Sequence, residues 1–108
     1  MTVNELAEKL GLERVFVAEP DRIIEGAYAG DLLSWVMGRA KPGNCWVTIM
    51  TNVNTLAVAS LLDLSCIIIC ENSEIGAELS DAASAKGLNL LRTGMNEFEA
   101  CAALSRLL

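Results

Sequence analysis

Two stretches of the chain hold residue types that could bind a ligand: Tyr28-Ala29-Gly30-Asp31, and the run from Thr48 to Asn54. In the second, Thr48, Thr51, Asn52 and Asn54 stand where an apolar run hands over to a helical pattern. Free N–H groups at a helix start attract anions, and Thr and Asn side chains add donors. A plainer reading makes Asn54 the helix cap and Asn52 the former of the turn. In the first stretch, Gly30 lets a ligand come close to the backbone. Tyr28 offers a ring to stack on a base or sugar, and Asp31 offers an acceptor for a hydroxyl. A turn with a capping Asp and a half-buried Tyr accounts for the same residues. A third stretch, Glu71-Asn72-Ser73-Glu74, disfavours a highly phosphorylated ligand unless a cation bridges the two. As a connecting loop it needs no further role.

Other chemistry finds little support. There is no His, which removes the commonest general base and the commonest metal ligand. No Ser-His pair, His-Glu metal motif or nucleophile elbow is present. Glu25, Asp31 and Asp63 are carboxylates with simple explanations as surface charge or cap. Cys45, Cys66, Cys70 and Cys101 include no Cys-x-x-Cys pair. Cys66 and Cys70 lie on one face of one strand, about 13 Å apart by strand rise, too far for one Zn²⁺ or for a disulfide. Buried cysteines of this kind act as small hydrophobes. Neither a metal nor a cofactor is expected.

The elements that must position these residues alternate in type. Thr2-x-x-Glu5 reads as a capping box, with Leu6 and Leu10 behind it and Gly11 as the stop. Arg14–Ala18 and Ile23–Tyr28 are extended candidates, the second weakened by Gly26. Asp31 is expected to cap a helix whose apolar residues fall at 32, 33, 36, 37 and 40. Cys45–Met50 and Cys66–Cys70 are apolar nearly throughout, as strands covered on both faces should be. Asn52 or Asn54 opens a helix to about Leu62, 76–86 forms another, and Leu88–Leu91 is a further strand. Asn96-x-x-Glu99 starts a last helix, with Phe98, Cys101, Ala102 and Ser105 on one face. Such alternation predicts an α/β fold: a single domain with a parallel or mostly parallel sheet of four to five strands and helices on both faces. Ligands of open parallel sheets bind outside the carboxyl ends of the strands, so the 28–31 and 48–54 stretches are expected to converge on one rim.

The chain has 108 residues, 53% of them hydrophobic, and a net charge of −6. This excludes a disordered tail and a basic nucleic-acid binder. No apolar run reaches the ~18 residues of a membrane span, and no signal peptide is visible at the N-terminus. Four cysteines without an export signal point to reduced thiols in the cytoplasm. The helix after Asn54 reads Thr-Leu-Ala-Val-Ala-Ser-Leu-Leu and is apolar on almost every side. A surface stripe left over from the sheet, with Leu32, Trp35 and Val36 beside it, predicts a C2 homodimer; coverage by neighbouring helices of the same subunit is the alternative.

The string Ile24-Glu-Gly-Ala-Tyr-Ala-Gly-Asp-Leu-Leu-Ser-Trp-Val-Met37, with Gly43-Asn-Cys-Trp-Val-Thr-Ile49 and Asn52–Asp63, resembles the DRTGG domain from about residue 2 to 108. Domains of that family occur alone or beside other domains, as in pyrophosphatases with nucleotide-sensing modules. They are similar in fold to the N-terminal domain of HPr kinase/phosphorylase. The five-letter string that names the family is absent; Asp21-Arg22 and Arg92-Thr93-Gly94 share only parts of it. The resemblance implies an α/β fold, self-association and a regulatory or ligand-sensing role without catalysis. It points to a small anionic ligand, such as a nucleotide, or alternatively to an interaction subunit of a larger enzyme system. A kinase is not expected, because the chain has no Gly-x4-Gly-Lys-Ser/Thr loop.

Overall fold

Helix α1 (Val3–Leu10) begins at the expected capping box. Thr2 Oγ1 accepts the Glu5 N–H at 3.1 Å, and the Thr2 N–H donates to Glu5 Oε1 at 3.0 Å. The computed structural model describes residues 1–108. After α1 come β1 (Glu13–Val17), β2 (Ala27–Ala29), α2 (Leu33–Arg39), β3 (Cys45–Thr48) and α3 (Val53–Leu61). Then follow β4 (Cys66–Ile69), α4 (Ala77–Lys86), β5 (Asn89–Arg92) and α5 (Glu97–Leu107).

The five strands form one sheet in the order β1-β5-β4-β3-β2. β2, β3, β4 and β5 pair in parallel, and only β1 is antiparallel, against β5 with a register shift between Arg14 and Phe16. The α/β architecture and the mostly parallel sheet expected from the alternation are therefore present. β3 and β4 are buried along their whole length, which explains their unbroken apolar sequence: a central parallel strand has a helix layer on each side.

Two cores result. Cys45, Val47, Cys66, Ile68 and Leu91 meet α1 and α5 through Val3, Leu6, Ala100 and Leu104. Trp46, Ile67, Ile69 and Leu90 meet α2, α3 and α4 through Val36, Leu56, Ala59, Leu79 and Ala83. The three crossover helices thus share one face, and the two chain ends cover the other. From β2 to β5 the spatial order follows the chain order. The sheet has no reversal of strand order among these strands, the feature that usually opens a ligand crevice in such folds.

Several local expectations are corrected. The N-cap of α2 is Leu32, with no side-chain cap bond, because the Asp31 carboxylate is used elsewhere. The extended run before α2 shrinks to Ala27–Ala29, since Gly26 turns the backbone to φ +79°. In α5 the buried residues are Ala100, Ala103 and Leu104, while Phe98 is 81% exposed. The all-round apolar helix α3 lies between α2 and α4 of the same chain. Ala57, Ser60 and Leu61 remain on its outer side. Coverage within one subunit therefore accounts for most of its apolar surface.

Trp46 has no exposed surface, and its Nε1–H donates to the Gly30 carbonyl at 2.9 Å. Trp46→Phe removes that donor and leaves a void, at an expected cost of about 1–3 kcal/mol in denaturant unfolding. An unchanged unfolding midpoint would contradict this account of the β2–β3 junction.

Candidate functional site

The carboxyl ends of β2 and β3 meet through Asp31. Its Oδ1 accepts from Thr48 Oγ1 at 2.7 Å and from the Ile49 N–H at 3.0 Å. The two candidate stretches therefore touch, with Thr48 and Asp31 as the joint. Thr48 is fully buried, so its hydroxyl is spent on this contact and on the Met50 N–H it accepts at 3.2 Å. Space at Gly30 is tight: a Cβ would lie 3.1 Å from the ring of Tyr28, which would have to shift by a few tenths of an ångström. That ring packs into the core on the α2–α4 side and is only partly open to solvent.

Asn52, Asn54 and Thr51 lie farther along the rim. Asn52 is the N-cap of α3, and its Oδ1 accepts the Asn54 N–H at 2.9 Å. The capping role thus belongs to Asn52 and not to Asn54, whose exposed side chain follows inside the first turn. Thr51, Asn52 and Val53 line a hollow of about 330 Å³ together with Gly76, Glu78 and Leu79. Gly76 is the N-cap of α4 and supplies no side-chain bond. Two helix starts open on this space, one of them lacking a side-chain cap.

The other half of the rim is acidic. Glu97, in the first turn of α5, lies near enough to the Asp31 carboxylate for the two groups to influence each other's ionisation. Burial, then the neighbouring Asp31 carboxylate and the charge of Glu71, push the Glu97 carboxyl up to about 7. Burial also opposes ionisation of Asp31. The Thr48 hydroxyl, the Ile49 N–H and Glu97 outweigh it and hold Asp31 below its ordinary value. Glu97 carries no signal of its own in the sequence and lies inside the Asn96–Glu99 capping box. Only the passage of α5 across the sheet brings it to Asp31.

Glu71 belongs to a strained turn. Glu71 and Asn72 have φ +62° and +50°, and the Ser73 N–H donates to the Cys70 carbonyl at 3.2 Å. This is the pattern of a type I′ turn, here without glycine. Arg92 braces it, donating from Nη2 to the Asn72 carbonyl at 2.7 Å and from Nε to the Ser73 carbonyl at 3.0 Å. A Cβ on Gly94 would come within 2.9 Å of Asn72 Nδ2, so a larger residue there would push the Asn72 side chain aside.

The cysteines behave as hydrophobes. Cys45 and Cys66 face each other across β3 and β4, and no disulfide links any of the four. The neighbouring Cys66 thiol, then burial, raises the Cys45 thiol well above its usual range, and burial pushes Cys70 up to about 12. Neither is poised as a nucleophile. No cluster of three or more His, Cys, Asp or Glu suits a metal ion. No helix is long and apolar enough to cross a membrane.

Thr48→Val tests the joint. Loss of the hydroxyl donor should raise the Asp31 pKa toward an ordinary carboxylate and cost about 1 kcal/mol of stability. Carbon-detected carboxyl titration by NMR reads the first effect and urea unfolding the second; an unmoved Asp31 would show that the bond does not matter.

The backbone is similar to a solved structure of the CBS and DRTGG domains of the regulatory region of Clostridium perfringens pyrophosphatase, complexed with activator, diadenosine tetraphosphate. The TM-score is 0.71 at 14% sequence identity, over 94% of this chain and 44% of that chain. The chain spans less than half the length of that regulatory region, and at this identity the likeness is one of fold. No protein-family model and no curated protein matches the sequence.

Proposed function

We propose that residues 1–108 form one DRTGG-type regulatory domain that binds a small anionic ligand of the nucleotide class and catalyses nothing itself. The observation that carries this reading is the hollow where α3 and α4 begin. A helix start presents unpaired N–H groups and positive potential, which suit a phosphate. Thr51 and Asn52 add polar contacts at its mouth. The acidic half of the rim does not suit an anion, so Tyr28, Gly30, Asp31 and Thr48 shape the neighbouring wall and do not hold phosphate. Glu78 in the hollow favours a ligand that arrives with a divalent cation. The similarity in fold to a regulatory region crystallised with a dinucleotide activator supports the ligand class. Four unpaired thiols suit a reducing cytoplasm.

Self-association belongs to the same proposal. Leu32, Trp35 and Leu61 are 58%, 55% and 71% exposed on the α2–α3 side, and a C2 contact would bury them against their own copies. The second reading, a docking subunit for a larger enzyme, draws on the same exposed residues.

Thermal denaturation with ATP and with diadenosine tetraphosphate, each with and without Mg²⁺, tests the ligand. At a hundredfold excess over Kd the melting temperature should rise by roughly 10 °C. Val53→Glu puts a carboxylate at the first position of α3, which the helix tolerates, and should abolish the rise. No shift with any nucleotide would sink the ligand reading.

Sedimentation tests assembly. The wild-type chain should run as a dimer, and Leu61→Glu with Trp35→Glu should run as a monomer. A monomeric wild type that co-sediments with a larger enzyme would favour the docking subunit.

A further inference from the structure

The two edges of the sheet are built differently. β1 carries Glu13 and Arg14 and shifts register between Arg14 and Phe16. Charges and bulges are common guards of an edge against further pairing. β2, at the other edge, reads Ala-Tyr-Ala and has neither a charge nor a proline. Shortness is its one guard.

The Gly26 carbonyl accepts the Cys45 N–H at 3.0 Å, and the Gly30 N–H donates to the Val47 carbonyl at 3.1 Å. Backbone groups alternate in direction along a strand. Gly26, Tyr28 and Gly30 therefore turn theirs to β3, and Ala27 and Ala29 turn theirs outward. Each of these two alanines is exposed and offers one N–H and one C=O to solvent. In register they stand beside Cys45 and Val47, so their methyl groups lie on the sheet face that α5 covers. There they border a groove of about 370 Å³, walled by Cys101, Leu104, Ser105 and Leu108. No charged residue lines it.

We propose that the open edge of β2 and this groove take an extended segment of another protein as a sixth strand. Such a segment bonds to the outward groups of Ala27 and Ala29 and sets alternate aliphatic side chains into the groove. The groove supplies contact area that three residues of backbone lack. A charged side chain placed in it would lose hydration without gaining a partner. The strand is flanked by Glu25 and Asp31, so the matching segment carries lysine or arginine at the ends of its apolar run.

A second copy of the chain fits this edge less well. Antiparallel pairing about a twofold axis at Tyr28 sets Ala27 of each copy against Ala29 of the other. The incoming strand then offers only methyl groups to the groove. The same pairing brings Glu25 of each copy toward Asp31 of the other, and like charges facing across strands repel. The inference owes nothing to the nucleotide hollow or to the exposed patch on α2 and α3.

The test uses a capped heptapeptide with lysine at both ends and valine and threonine alternating between them. Its control is the same peptide N-methylated throughout, which keeps the side chains and removes every donor. In NMR titration of the full chain, amide shifts should concentrate at 26–30 and 101–108. At saturating peptide, hydrogen exchange at Ala27 and Ala29 should slow about tenfold or more. Ala29→Lys, at an exposed position, should abolish both effects, and so should Leu108→Lys if the first variant does not fold. No response at millimolar peptide, equal binding of the N-methylated control, or shifts centred on the start of α3 overturns the proposal. So does protection of Ala27 and Ala29 that grows with protein concentration in the absence of peptide, because a second copy would then hold the edge.

Discussion

The hydroxyl of Thr48 has no exposed surface and sits at the end of a strand covered on both sides. It must find a partner inside the protein. Asp31 is that partner, and the choice shapes the neighbourhood. The carboxylate cannot then cap α2, so the helix starts one residue later without a side-chain cap. The turn is drawn onto β3, the Gly30 carbonyl meets the Trp46 indole, and the Tyr28 ring packs closely over Gly30. One buried donor thus fixes backbone and side chains over four residues.

The same carboxylate organises the charge of the rim. Asp31 is negative because two donors stabilise it, and Glu97 must come to terms with that negative charge at close range. The rim is consequently divided: acidic where β2, β4 and α5 meet, and rich in free N–H groups where α3 and α4 begin. A chain with net charge −6 can still present a place for an anion, because backbone dipoles act locally and the carboxylates are gathered elsewhere.

Much of this architecture could be read from residue order. Cys45–Thr48 and Cys66–Ile69 announce themselves as covered strands because almost every residue is apolar, and Thr2-x-x-Glu5 and Asn96-x-x-Glu99 announce helix starts because capping is a local bond. The meeting of the 28–31 and 48–54 stretches follows from parallel neighbours whose carboxyl ends share one edge. The roles of individual polar residues were not legible. Asp31 and Asn54 look like caps by type, but whether a side chain caps depends on what else competes for it, here a hydroxyl 17 positions away. The nearness of Glu97 to Asp31 depends on which face α5 takes, and no periodicity encodes that. Phe98 fits an apolar stripe by spacing, yet the helix is rotated so that Ala100 and Leu104 face inward.

One face of the sheet is closed by α1 and α5, and the antiparallel edge joins β1 to β5. Both pairings unite the earliest elements of this domain with its latest. The middle of the chain, β2 through β5, can assemble stepwise as each crossover docks beside its predecessor, since contacts near in sequence form at small entropic cost. The terminal layer must wait. Until α5 has been made and docked, the apolar underside formed by Val47, Ile68 and Leu91 is left partly open to water, and the domain depends on this helix to become safe from aggregation.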